Sequence, residues 1–260
     1  MKFTSKFLLM LLLAALPFSL IAQGQTIIAA YMNVRTTAAD YLEVENAWKK
    51  IHQKAVEEGY MNGWQLWRKM HVGTDDPYQF ITLQWYNDDK QAYGADVPSG
   101  WMQDLFTDEE WDELYDRTIA SRDYIREDVA HLVTMVENPQ PVTFLVVHHM
   151  KVQPGMATEY VNMEREIYKP IHEALIREGY LGHWGLWNIW PYKQGQCQYI
   201  TVNGYSDLDQ FTADRSALTL EDLGLELDYT QEELMELAQK TRVMAEDELW
   251  ILVDSVFPEE

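Results

Sequence analysis

Two kinds of periodicity alternate along the chain. Thr26–Val34 and residues 142–152 are rich in β-branched and apolar side chains and read as strands. Thr36 and Thr37 then offer helix N-caps in the first case, and Pro154-Gly155 marks a turn in the second. Apolar positions at helical spacing follow, as far as about Glu58 and Glu178. Gly59 and Gly179 end these helices, since glycine best tolerates the left-handed conformation just past a helix. Two further strands are predicted in each half, 64–70 and 78–86 in the first, 184–190 and 197–205 in the second. Gly73, Asp75, Asp76 and Pro77 fill one intervening loop, Pro191 and Gly195 the other. A second helix with an acidic start is expected over 107–126 and over 230–246, the first opening on a Thr-Asp-Glu-Glu capping signal. A last strand closes the halves at 131–136 and 250–256.

The order in each half is thus strand, helix, strand, strand, helix, strand. This α+β arrangement is the ferredoxin-like βαββαβ unit, an antiparallel sheet with its helices on one face. The other face needs cover too. Residues 142–147 carry apolar side chains at consecutive positions, as burial on both faces demands. The simplest expectation is that the two sheets pack face to face within the chain.

The halves also match residue by residue. Residues 48–67 (WKKIHQKAVEEGYMNGWQLW) and 168–187 (YKPIHEALIREGYLGHWGLW) are identical at nine of twenty positions. The match continues between QFITLQWYND and QYITVNGYSD, and between YMNV and HMKV. Arg122 and Arg242 precede the matching ends AHLVTMV and WILVDSV. Chance does not produce this agreement of order and spacing, and the chain reads as a tandem duplication over residues 23–140 and 141–260. In element order, length per copy and fusion of two copies it resembles the dimeric α+β barrel superfamily. The IH…EGY…GW.LW block is similar to that of uncharacterised exported bacterial proteins. The superfamily includes cofactor-independent monooxygenases, haem-dependent enzymes, small-molecule isomerases and stress-responsive proteins, so the resemblance implies a barrel made within one chain and no single activity.

Residues 1–22 change the setting. Lys2 and Lys6, an apolar run over residues 7–20 and Ala22 before the cut read as a secretory leader, implying a periplasmic or secreted protein. The formal net charge is −22, with 21 acids against 10 bases in residues 23–140 and 21 against 8 in 141–260. Such a surface repels nucleic acid and anionic lipid, so neither is expected as a partner. The single cysteine, Cys197, cannot staple the chain and reads as a half-buried strand residue rather than a nucleophile.

Candidate chemistry centres on His52 and His172, which occupy the same place in the two copies. Trp48, Ile51, Ala55 and Val56 put His52 on the apolar face of its helix; Tyr168, Ile171, Leu175 and Ile176 do the same for His172. Each is either a core histidine satisfied by a neighbour or a pocket-lining acid–base group. Trp64 and Trp67, like Trp184 and Trp187, point to opposite faces of a strand, and serve either as core or as ligand contacts. Ten tryptophans and fifteen tyrosines favour an aromatic-lined cavity. Tyr31, Trp48, Tyr60, His149, Tyr168 and Tyr180 complete the candidate ligand contacts. His148 and His149 are adjacent on a strand and cannot face one metal; no metal or other cofactor is expected from motifs. The expectation is a protein binding a small aromatic or apolar molecule, with one pocket per copy. His52 or His172 would stand in each wall, and residues 91–106 or 212–228 would cover each mouth. Two alternatives stay open, a monooxygenase- or isomerase-like enzyme using His52 and His172, and haem ligation by one of them.

Overall fold

The computed structural model describes residues 25–94, 100–136, 138, 141–190 and 197–258. The leader and the turn residues Pro191 and Gly195 lie outside them. The first half runs β1 (Thr26–Val34), α1 (Ala38–Glu57), β2 (Gly63–Lys69), β3 (Phe80–Tyr86), α2 (Asp89–Gly94), α3 (Asp108–Ser121) and β4 (Arg122–Val136). The second runs β5 (Phe144–Val152), α4 (Ala157–Met163), α5 (Lys169–Arg177), β6 (His183–Ile189), β7 (Tyr199–Tyr205), α6 (Leu208–Thr212), α7 (Gln231–Thr241) and β8 (Arg242–Val256). Capping boxes fix three helix starts, Thr37 with Asp40, Thr107 with Glu110 and Thr230 with Glu233. Gly59 and Gly179 follow α1 and α5 at φ +77° and +80°, in the left-handed region expected of them.

Each half forms an antiparallel four-stranded sheet of the same order, β4-β1-β3-β2 and β8-β5-β7-β6. The sheets do not simply lie face to face as expected. β2 pairs with β8 and β4 with β6, so the two join edge to edge into one closed barrel of eight strands. The reason is the backbone, because an open edge strand leaves its N–H and C=O groups unpaired and closure removes every edge. Register shifts in β4 and β8, against β1, β6, β2 and β5, are bulges that bend these strands around the barrel.

β4 and β8 are 15 residues each, far longer than the 131–136 and 250–256 expected, and α3 and α7 end at Ser121 and Thr241 instead of near 126 and 246. The early part of each strand carries polar side chains on both faces, so period-two hydrophobicity is missing there and the run of charge reads as helix.

The helices cover the outside of the barrel. In the first half Tyr41, Val44, Ile51, Ala55 and Val56 meet Trp64, Leu66 and Phe80 of the sheet. Both halves bury a Tyr–Glu–Arg group in this layer. Arg122 Nη1 pairs with Glu45 beneath Tyr41, and Arg242 Nε stands 3.7 Å from Glu164 beside Tyr160. Tyr41 and Glu45 correspond to Tyr160 and Glu164 at an offset of 119, whereas Trp48 and His52 correspond to Tyr168 and His172 at 120. A π-helical turn at Glu164–Tyr168, just before Pro170, absorbs that extra residue and restores the helix phase in α5. His52 then stacks on Trp64 (ring centroids 5.0 Å apart, 15° between planes), and His172 meets Trp184 edge-on at 4.8 Å. Burial lowers their proton affinity, to a pKa of about 4 for His52, and to about 3 for His172 with help from His148.

Two outcomes follow from this architecture. An ordinary histidine protonates near pH 6.5, so below that pH the unfolded chain binds protons that folded His52 refuses, and stability is lost as pH falls from about 6.5 towards 4. Burial raises Glu164 to about 7, which acts in the opposite sense, so the readout is the difference between wild type and His52→Phe. Between pH 7.5 and pH 5 the wild type should lose on the order of 1 kcal/mol more than the variant in urea unfolding. Equal losses would show that His52 titrates freely in the fold. Second, a chain cut to residues 25–140 bares the edges of β2 and β4 and should dimerise or aggregate by light scattering. A stable monomer would show that closure is dispensable.

Candidate functional site

Alternation along the closed strands sends every second side chain into the barrel. From β2, Trp64 and Leu66 face the helices while Gln65 and Trp67 face the lumen; in β6, Trp184 and Leu186 face outward and Trp187 inward. The inward residues leave a cavity of about 370 Å³, within the range of small-molecule sites. Trp67, Trp85, Trp187 and Trp250 form its aromatic wall, with aliphatic side chains such as Ile27, Leu83 and Val147 between them. Trp85 and Trp187, one from each half, meet edge to face at 5.7 Å. Among the described residues no Asp, Glu, Lys or Arg lines this space.

Its few polar groups are unevenly used. Gln65 Oε1 accepts hydrogen bonds from two indoles, Trp85 Nε1 at 3.1 Å and Trp67 Nε1 at 3.3 Å. Indoles only donate, which fixes the amide orientation and leaves the Gln65 NH₂ beside the cavity. The matching position of β6 is Gly185, so Trp187 has no such acceptor. His183 stands at the mouth opposite Gly204, where a Cβ would come within 2.9 Å of its own Cβ and 3.0 Å of Val142 Cγ1. In the first half the sizes are reversed, Gly63 standing opposite Trp85. A Cβ at Gly63 would collide with the ring of Phe257, which packs over this side of the mouth. Burial pulls the His183 pKa down to about 4, so its ring is neutral near pH 7.

The other end of the lumen is charged. Glu248 is fully buried; its carboxylate accepts hydrogen bonds from the Tyr78 hydroxyl and from Trp250 Nε1 (2.7 Å), and pairs with Lys69 Nζ at 2.9 Å. Burial pushes this carboxyl up, but the His149 ring, whose Nε2 stands 3.8 Å away, the Tyr78 hydroxyl and the Lys69 ammonium together outweigh burial and hold it below the usual carboxylate range. Lys69 also pairs with Asp76 at 2.9 Å, and its ion pairs overcome burial to raise its pKa to about 12. The Arg126 guanidinium lies 4.1 Å over the Tyr31 ring and pairs with Asp128 at 3.2 Å. A smaller space of about 190 Å³ lies here, lined by Arg126, His149 and Cys197; Ile189 and Ile200 line both spaces. Cys197 is half-buried as expected, just before β7 rather than on it; burial and then Glu246 push its thiol up.

Of the residues singled out in the sequence, Tyr31, Trp67 and Trp187 line the cavity, and His149 lies at the charged end. The others do not join them. Trp48, Tyr60, Trp64, Tyr168 and Trp184 belong to the helix–sheet layers, and Tyr180 is half-buried just past α5. The expected pocket in each copy, walled by His52 or His172, does not form among the described residues: the aromatic cavity is one that both halves share, and the clefts lined by Tyr60 and Gln91 and by Ile167 and Leu227 contain neither histidine. Closure of the barrel turned the second sheet faces into a common interior, while His52 and His172 pack against Trp64 and Trp184 in the helix layers. The described parts of residues 91–106 and 212–228 pack into those layers, through Trp101 in the first half and Leu220 and Leu227 in the second, and none reaches the lumen. Neither His52 nor His172 faces a described cavity, so as packed they do not fit a haem. Among the described residues no cluster of three His, Cys, Asp or Glu is arranged to hold a metal ion, and no helix is long and apolar enough to cross a membrane. Sequence reasoning missed Gln65, Trp85, His183, Glu248 and Trp250. The alternation of β2 and β8, extended through the duplication, was the signal that could have found Gln65, Glu248 and Trp250.

No family model matches the chain, and no curated protein does. Among solved structures it is similar to a candidate monooxygenase from Lactobacillus acidophilus, with 9% identity, TM-score 0.54, and coverage of 90% of this chain and 96% of that one. A candidate monooxygenase from Fusobacterium nucleatum aligns over 90% and 95% at 11% identity and TM-score 0.47. A heme-binding protein from Thermus thermophilus aligns over 89% and 92% at 10% identity and TM-score 0.44. At such identities the likeness concerns the fold alone, and the last two, under TM-score 0.5, add nothing to it. The chain has the dimeric α+β barrel fold, with both sheets of the barrel in one polypeptide.

Proposed function

We propose that this is a binding protein for one small, neutral, largely apolar molecule with an aromatic body, held in the barrel lumen. We include export in the proposal, on the leader-like character of residues 1–22. The observation that carries the reading is the cavity of about 370 Å³ with four tryptophans and, among the described residues, no charged side chain in its wall. Rigid indole faces suit a flat apolar body and lose little entropy on contact. An ionised ligand would give up its hydration with no countercharge to meet it, at a cost of several kcal/mol.

Isothermal titration calorimetry with naphthalene and 2-naphthoate tests this. Naphthalene should bind with one site per chain, and the carboxylate at least tenfold more weakly. Ala29 and Val147 line the cavity, so Ala29→Trp or Val147→Phe should fill it and abolish binding while circular dichroism stays unchanged. Two sites per chain, tighter binding of the carboxylate, or binding indifferent to both variants would overturn the reading.

A further inference from the structure

The two halves treat their inward tryptophans differently. In the first, Gln65 stands two residues before Trp67 and supplies its indole with an acceptor. In the second, Gly185 takes that place, and Trp187 Nε1 has no protein acceptor among the described residues. The glycine does not leave open wall. A Cβ built on Gly185 would lie 2.9 Å from Trp187 Nε1 and 3.4 Å from His183 Nε2. Two nitrogens from neighbouring inward positions therefore converge over one bare stretch of backbone, and both belong to the cavity wall. His183 Nε2 has no hydrogen-bond partner either among the described residues. Only glycines at 185 and 204 admit this arrangement, because a Cβ at Gly204 would press on His183 from the other side.

We infer that this pair is a recognition point for a hydroxyl group, and that the ligand of the lumen is a phenol-like molecule. The inference rests on the lumen being the binding site. The indole can only donate, so the ligand atom between the two must accept from it. A neutral imidazole carries one N–H and one lone pair, and which sits at Nε2 depends on the tautomer. A carbonyl or ether oxygen satisfies both nitrogens only when Nε2 bears the proton. A hydroxyl satisfies both in either tautomer, accepting from Trp187 and then donating to, or accepting from, His183. The ligand oxygen thus takes the part that the Gln65 amide oxygen plays in the first half, and the apolar body lies against Trp85 and Trp250.

Calorimetry with three ligands of one ring system, naphthalene, 2-methoxynaphthalene and 2-naphthol, tests it at pH 7, where all are neutral. In the wild type 2-naphthol should bind roughly tenfold more tightly than the methyl ether. His183→Leu and Trp187→Phe should each reduce that preference to less than about threefold. The preference is a ratio of two ligands on one variant, so a loss of affinity common to both leaves it unmoved, and an unchanged circular dichroism spectrum shows that the variant is folded. Equal binding of 2-naphthol and its methyl ether to the wild type would overturn the hydroxyl inference and leave the lumen reading standing. A preference that survives both substitutions would overturn it too. If none of the three ligands binds the wild type, the lumen reading fails and this inference with it.

Discussion

Barrel closure governs the rest of this structure. Each half alone would end in two unpaired edge strands, β2 and β4 or β6 and β8, whose backbone groups need partners. Pairing β2 with the later part of β8 and β6 with the later part of β4 supplies partners along both seams. The same pairing turns the uncovered face of each sheet inward, so the interior belongs to neither half. Contacts outside the sheets follow the seams. Lys49 of α1 reaches Asp254 of β8 at 2.6 Å, and Arg165 in the π-helical turn donates to the Val133 carbonyl at a bulge of β4. An interior made this way is a single compartment, which is why one shared cavity replaces a pocket in each half.

That compartment is filled by two different physical means. One end holds a charged cluster in which Glu248, Lys69, Tyr78 and Trp250 satisfy one another. Such a cluster is costly to bury, and removing one partner leaves a charge uncompensated. Its value here is positional, since Trp250 is held by Glu248 and Tyr31 lies under the Arg126 guanidinium. Both rings border the cavity. The other end is aromatic, and its open volume persists because four indoles braced by neighbouring strands cannot collapse into it.

Much of the fold was legible because local signals agreed with one another. Thr37, Thr107 and Thr230 cap helices where the pattern placed them, Gly59 and Gly179 end helices with positive φ, and β1 has the expected bounds. The failures share one cause. Arg126, Asp128 and Glu248 face an interior that is itself charged, so the starts of β4 and β8 carry no apolar alternation to read. Likewise the alternation of Trp64 with Trp67 and of Trp184 with Trp187 was readable, but not which face would hold open space. That depends on seams joining residues nearly 200 positions apart, such as Trp64 with Val256. The sequence pattern places His52 and His172 correctly against the helix–sheet layer, but the open space lies on the opposite face of the sheets.

Divergence between the halves then decides what the shared cavity can recognise. Had every inward position stayed matched, the lumen would present two equivalent sets of contacts related by the barrel's pseudo-symmetry. Instead a glycine in one half faces a large residue in the other. Gly63 and Trp85 on one rim answer His183 and Gly204 on the other, and Gln65 answers Gly185. The Gly63–Trp85 and His183–Gly204 pairs each set a glycine against a large ring, so the strands still close while symmetry is lost. One indole pair is satisfied internally by Gln65, and the remaining donor is left for whatever enters. The formal net charge of −22 acts in the same direction. Under the proposed function an anionic ligand would be opposed by this charge and would meet no cation among the described residues of the cavity wall, so surface and interior would disfavour it together.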